Sequence, residues 1–160
     1  MKLAKAFADI DSSDREPAQP IVKGFMPIGV ISGNGSVSVS AFEALIPAKD
    51  VAFHGVRFEV VPDDEYAPNG IATVPIENAE MLVASLEQMA SASISTERFA
   101  LTEVEATVDE LRIVIFNTEG GRIHAAIDAD GATCHLMQQS ELLDLATLVE
   151  MAIKHLKSNT

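Results

Sequence analysis

His124, His135 and Asp128 carry the most suggestive chemistry in the chain. Strand-like alternation places His124 and Asp128 in one segment and Thr133, His135 and Met137 in the next. Arg122 precedes them with the same parity. All of these point to one face of an expected sheet. Two imidazoles on adjacent strands could share a transition metal, with Asp128 as a third ligand, or hold an anion when protonated. The alternative is a solvated sheet face with scattered polar residues. No HExxH pair and no cysteine cluster favours the metal. Val114, Phe116, Ala126 and Met137 fall on that same face, forming an apolar patch that needs cover from the other half of the chain, a second subunit or a ligand. Few polar groups converge there, so protein cover is the expectation.

Other reactive residues fit ordinary roles. Cys134 and His135 are neighbours and point to opposite faces, so they make no nucleophile–base pair. Cys134 is expected as a small core residue. His54 stands beside a strand, and His155 suits the cationic end of a helix. The acidic run from Pro62 to Gly70 could meet a hard cation, but it lacks EF-hand spacing and reads as a solvated loop. Gly29, Gly33 and Gly35 sit in a hairpin without a following GK[ST], so they make no phosphate cradle. No cofactor is expected.

The elements that hold these residues are clearest in the second half. Thr102, Val104, Ala106 and Val108 alternate with Glu103, Glu105 and Thr107, which describes a half-buried strand. A turn at Asp109-Glu110 pairs Val108 with Leu111, Ala106 with Ile113 and Val104 with Ile115. A three-residue loop with Gly120 left-handed pairs Ile115 with Ile123 and Ile113 with Ala125. An Asp130-Gly131 turn sets Ile127 opposite Cys134 and Ala125 opposite Leu136. Ser140 is expected to cap a helix with an apolar stripe at Leu142, Leu145, Ala146, Val149, Ala152, Ile153 and Leu156. The unit reads ββββα.

The first half repeats the plan. Asn34-Gly35 predicts a hairpin pairing Val30 with Val39 and Ile28 with Ala41. Asn78 is a candidate helix cap, followed by a stripe at Ala79, Leu82, Val83, Leu86, Met89 and Ala90. Val83, Ala84, Leu86, Met89 and Ala90 overlay Leu145, Ala146, Leu148, Met151 and Ala152. Val56-Arg57-Phe58 likewise overlays Leu111-Arg112-Ile113. The expected fold is α+β: two antiparallel β-meander plus C-terminal helix units (ββββα twice), with helices packed on one sheet face. Residues 1–20 are expected to form a short helix and flexible linker. Residues 21–158 form one domain of two similar halves, about 21–92 and 93–158, joined by the short Ala92–Thr96 segment.

Composition bounds the function. With 48% hydrophobic and 22% charged residues, disorder of the whole chain is excluded. No apolar run reaches the length of a membrane span, and Asp9 and Asp11 close the N-terminal apolar stretch early, so a cytoplasmic protein is expected. Paired ββββα units resemble the Whirly and Pur-alpha type domains in topology, and that resemblance implies single-strand binding on sheet surfaces. It rests on inferred topology alone, without a shared sequence motif. The chain has a net charge of −13, no Trp and one Tyr, which argues against nucleic acid as a partner. The leading expectation is a non-enzymatic interaction or assembly protein, self-associating or binding another protein through an apolar sheet face. Small-molecule or metal binding on the His/Arg face is the alternative, and single-stranded nucleic-acid binding the second.

Overall fold

The computed structural model describes residues 19–95 and 98–158. The expected N-terminal helix and most of its linker lie outside these residues. Strands β1 (Val22–Gly33), β2 (Gly35–Ile46), β3 (Val51–Val61) and β4 (Gly70–Pro75) are followed by helix α1 (Ile76–Ser91). Strands β5 (Glu103–Val108), β6 (Leu111–Asn117), β7 (Ile123–Ala129) and β8 (Ala132–Leu136) are followed by helix α2 (Glu141–Ser158). Each set of strands forms its own four-stranded antiparallel sheet in sequential order. The fold is therefore α+β, with ββββα occurring twice.

Turn chemistry sets the second sheet. Asp109 adopts φ 52° and pairs Val108 with Leu111, Ala106 with Ile113 and Val104 with Ile115. Asp130 and Gly131, both at positive φ, set Ile127 opposite Cys134 and Ala125 opposite Leu136. The middle hairpin differs from expectation. Ile115 pairs with Ala125 and Ile113 with Ile127, and Gly121, not Gly120, is left-handed. The cause is Asn117. Its side chain is engaged by residues 100–102, so β6 runs on to pair Asn117 with Ile123. The loop then closes through Thr118 N–H to the Arg122 carbonyl, 2.9 Å. The shift is two residues, which leaves every side chain on its expected face.

The first hairpin slips by one residue. Val30 pairs with Ser38 and Gly29 with Val39, while Met26 takes Ala41. A bulge between Pro27 and Gly29 accompanies the change. Asn34 stands alone at the apex because its backbone is paired elsewhere: its N–H donates to the His135 carbonyl at 2.8 Å. A one-residue slip reverses faces, so Val30 is 58% exposed while Ile31 packs on the core. Asn78 is not the helix cap. α1 begins at Ile76, straight after Pro75, and Asn78 donates its side-chain N–H to Asp109 Oδ2 at 3.1 Å.

One core holds both halves. Val37, Val39, Val56 and Phe58 of the first sheet join Leu111, Ile113, Ile115 and Ile127 of the second, together with both helical stripes. Burying each such side chain contributes about 1.5–3 kcal/mol. The helices run antiparallel. Gln139, just before α2, donates to the Met89 and Ala92 carbonyls at the end of α1, both at 2.7 Å, and Lys157 reaches Glu80 near its start at 2.7 Å. α2 approaches β1, β2 and β3 most closely. Gly29 permits this, since a Cβ there would meet Leu148 at 2.7 Å. Leu145 and Val149 are fully buried in the same cluster as Ile113, Ile115 and Ala125.

The halves align differently from the sequence overlay. Buried positions Ala79, Leu82, Val83, Leu86, Met89 and Ala90 match Leu142, Leu145, Ala146, Val149, Ala152 and Ile153, one residue further along. The strand overlay placed a third strand on a second one. Matching side-chain types had outweighed matching burial, and burial is what a repeated fold preserves.

Candidate functional site

The outer face of the second sheet brings several expected residues together. Phe116 pairs with His124, Val114 with Ala126, and Ala126 with His135. Ala126 is small enough for the Phe116 ring to lie across it. The ring stands edge-on to both imidazoles, 5.7 Å from His124 and 6.0 Å from His135. Val114 and Ala126 are only 4% and 7% exposed. Met137 is half exposed and Phe116 half-buried, so little of the apolar patch remains open.

The polar residues of that face are drawn apart. Arg122 lies in the loop before β7, where its carbonyl closes the turn. Asp128 Oδ2 accepts the Thr133 hydroxyl at 3.0 Å. Arg112 pairs with Glu105 at 2.8 Å, and that hydrogen bond holds the Glu105 carboxyl below its ordinary range. Among the described residues no three His, Cys, Asp or Glu side chains converge on a possible metal position. Cys134 points into the core. Burial raises its thiol pKa, against a smaller lowering by the Gly33 backbone.

The acidic loop is organised by its own backbone. Asp64 Oδ1 accepts the Tyr66 N–H at 3.0 Å, an Asx turn, and Asn69 donates to Glu59. His54 and Glu43 stand 3.5 Å apart across β3 and β2. They line a cavity of about 410 Å³ with Gly24, Met26 and His155 near the end of α2.

The largest concentration of exposed large apolar side chains lies on the first sheet, where the sequence reading placed no site. β1 is an edge strand, and Val22, Phe25, Met26 and Val30 are 45–58% exposed along it. On the outer face Phe25 contacts Phe42 at 5.2 Å, Phe42 contacts Phe53 at 5.9 Å, and the Arg57 guanidinium lies 5.2 Å over Phe25. Extending the alternation of β2 and β3 to Ile46 and back to Val51 would have found this row. The hairpin register was followed only as far as Ala41. No described helix is long and apolar enough to cross a membrane. No protein-family profile matches the chain, and no curated protein is significantly similar to it.

Proposed function

We propose that this chain is a non-enzymatic interaction or assembly protein that self-associates through apolar sheet surface. The supporting observation is the concentration of exposed large apolar side chains on β1, an edge with a hydrogen-bonded neighbour on one side only among the described residues. Unpaired backbone donors and acceptors beside apolar side chains are a template for another strand. The second sheet contributes less to this reading than its sequence promises, because Val114 and Ala126 are already buried. Size exclusion with light scattering across a concentration series tests the proposal. A mass rising from monomer to dimer is expected, and a strict monomer at the highest concentration counts against it.

A second reading is single-stranded nucleic-acid binding, favoured by the Phe25–Phe42–Phe53 row with Arg57 on one sheet face. The charge of −13 opposes it. A mobility-shift assay at low salt, where electrostatic binding is strongest, separates the two readings.

A further inference from the structure

Resting on the self-association proposed above, we infer that two copies join by pairing their β1 strands antiparallel about a twofold axis, with position 25 of each copy opposite position 30 of the other. The bulge in β1 makes this possible. Before it, Gly24 and Met26 pair with Glu43 and Ala41, and so share the helix-facing side with Val22. After it, Gly29 and Ile31 pair with Val39 and Val37, which puts Gly29, Ile31 and Gly33 on that same side. The outer side carries Lys23 and Phe25 before the bulge and Val30 and Ser32 after it.

A twofold centred between Pro27 and Ile28 therefore matches like faces. On the helix side it sets Gly24 against Ile31 and Met26 against Gly29, inside the end at Gly33 that β8 closes. Each of these pairs places a large apolar side chain opposite a glycine, Ile31 beside the Glu43 side chain at Gly24 and Met26 beside Leu148 at Gly29. Beside Gly29, Leu148 supplies an apolar wall. On the outer side Phe25 and Val30, 51% and 58% exposed, cover one another. A slip of one residue opposes unlike faces. A slip of two sets glycine against glycine and large against large. β8 closes over Gly33, where a Cβ would meet the His135 carbonyl, and so bounds the ladder.

Charge points to the same contact. The chain carries −13, so two copies repel over most of their surfaces. β1 contains no carboxylate, and Lys23 is its one ionisable side chain. A surface of this kind is isologous and self-complementary, as a closed dimer requires. The result is a continuous eight-stranded sheet.

Cysteine trapping reads the register. In this arrangement positions 25 and 30 of different copies are directly opposed, within reach of a disulfide. The two copies of position 25 lie roughly 17 Å apart, about five residues along the strand. The full-length Phe25→Cys/Val30→Cys variant should form a covalent dimer under mild oxidation, and neither single variant should. Val30→Lys, at an exposed position, should leave the circular dichroism spectrum unchanged and raise the dimer dissociation constant about tenfold or more. Dimers that persist in Val30→Lys, with no crosslink in the double variant, overturn the β1 pairing and leave self-association standing. A wild-type chain that never dimerises overturns both.

Discussion

Asn117 is the one buried polar side chain among the described residues, and replacing it tests how the segment entering β5 is held. Its Oδ1 accepts the Thr102 N–H and its Nδ2 donates to the Ala100 carbonyl, both at 2.7 Å. Its own N–H reaches the Thr102 carbonyl at 3.4 Å. The side chain thus pins the segment entering β5 to the end of β6. Asn117→Ala removes two neutral hydrogen bonds, about 1 kcal/mol each. Thr102 is half-buried and Ala100 exposed, so water recovers part of the loss. A net cost of about 1–2 kcal/mol follows, roughly 2–8 °C in melting temperature for a chain of this size. Asn117→Asp behaves differently. A protonated acid can still donate to the Ala100 carbonyl, whereas a carboxylate is repelled by it. The introduced acid therefore has a raised pKa in the folded state. Its unfolded value is about 4, so the unfolded chain loses the proton first and stability falls as pH rises from there through the folded value. Urea unfolding at pH 4 and pH 7 checks this. Asn117→Asp should match wild type at the lower pH and fall to or below Asn117→Ala at the higher, each compared with wild type at the same pH. Equal penalties at both values would refute the donor role assigned to Nδ2.

The contacts between halves give further expectations. Gly70→Ala places a Cβ against the Ala129 carbonyl and 2.9 Å from the Ala132 Cβ, both on another strand, so a loss of about 3 kcal/mol or more is expected in urea unfolding. Gly120→Ala, with only the Thr118 hydroxyl nearby at 3.9 Å, should be within about 0.5 kcal/mol of wild type. Gln139→Ala leaves the Met89 and Ala92 carbonyls without their side-chain donor and should lower the melting temperature by roughly 4–8 °C. The Cys134 thiol, raised by burial, keeps its proton to higher pH when folded than when unfolded. Its contribution to stability is full below about pH 8.5 and fades above, so Cys134→Ala should flatten the alkaline fall in melting temperature.

The second half was legible because its information is local. Val104, Ala106 and Val108 alternate without a break, and Asp130-Gly131 fixes a hairpin by itself. Even its one mistaken loop moved by two residues and kept every face. β1 was not legible. Its apolar residues Met26, Ile28, Val30 and Ile31 obey no single period, because the bulge changes parity in mid-strand. The Asn34-Gly35 signal was real, yet the His135 carbonyl takes the Asn34 N–H, and a contact about one hundred residues away overrides a local preference. The candidate face was half legible: His124, Phe116 and His135 do meet, but the sequence does not show that Val114 and Ala126 are already buried.

The same bulge explains why the exposed surface lies where it does. Had β1 run in the register its Asn-Gly turn suggests, Val30 would face inward beside Val39 and Ile31 would face outward in its place. Tying Asn34 to His135 costs that register, and the bulge between Pro27 and Gly29 lets Ile28 and Ile31 pack on the core. The contact that joins the two sheets therefore also turns Val30 outward, on the same side as Phe25. Assembly of the fold and creation of an apolar edge are one event. If so, weakening the inter-sheet bridge should weaken self-association without touching β1 itself. His135→Pro removes the N–H that donates to the Asn34 carbonyl at 3.3 Å and leaves the stronger bond from Asn34 in place. In a chain that still folds by circular dichroism, the dimer population by light scattering should fall. An unchanged dimer would separate the bridge from the edge and leave the β1 register without its cause.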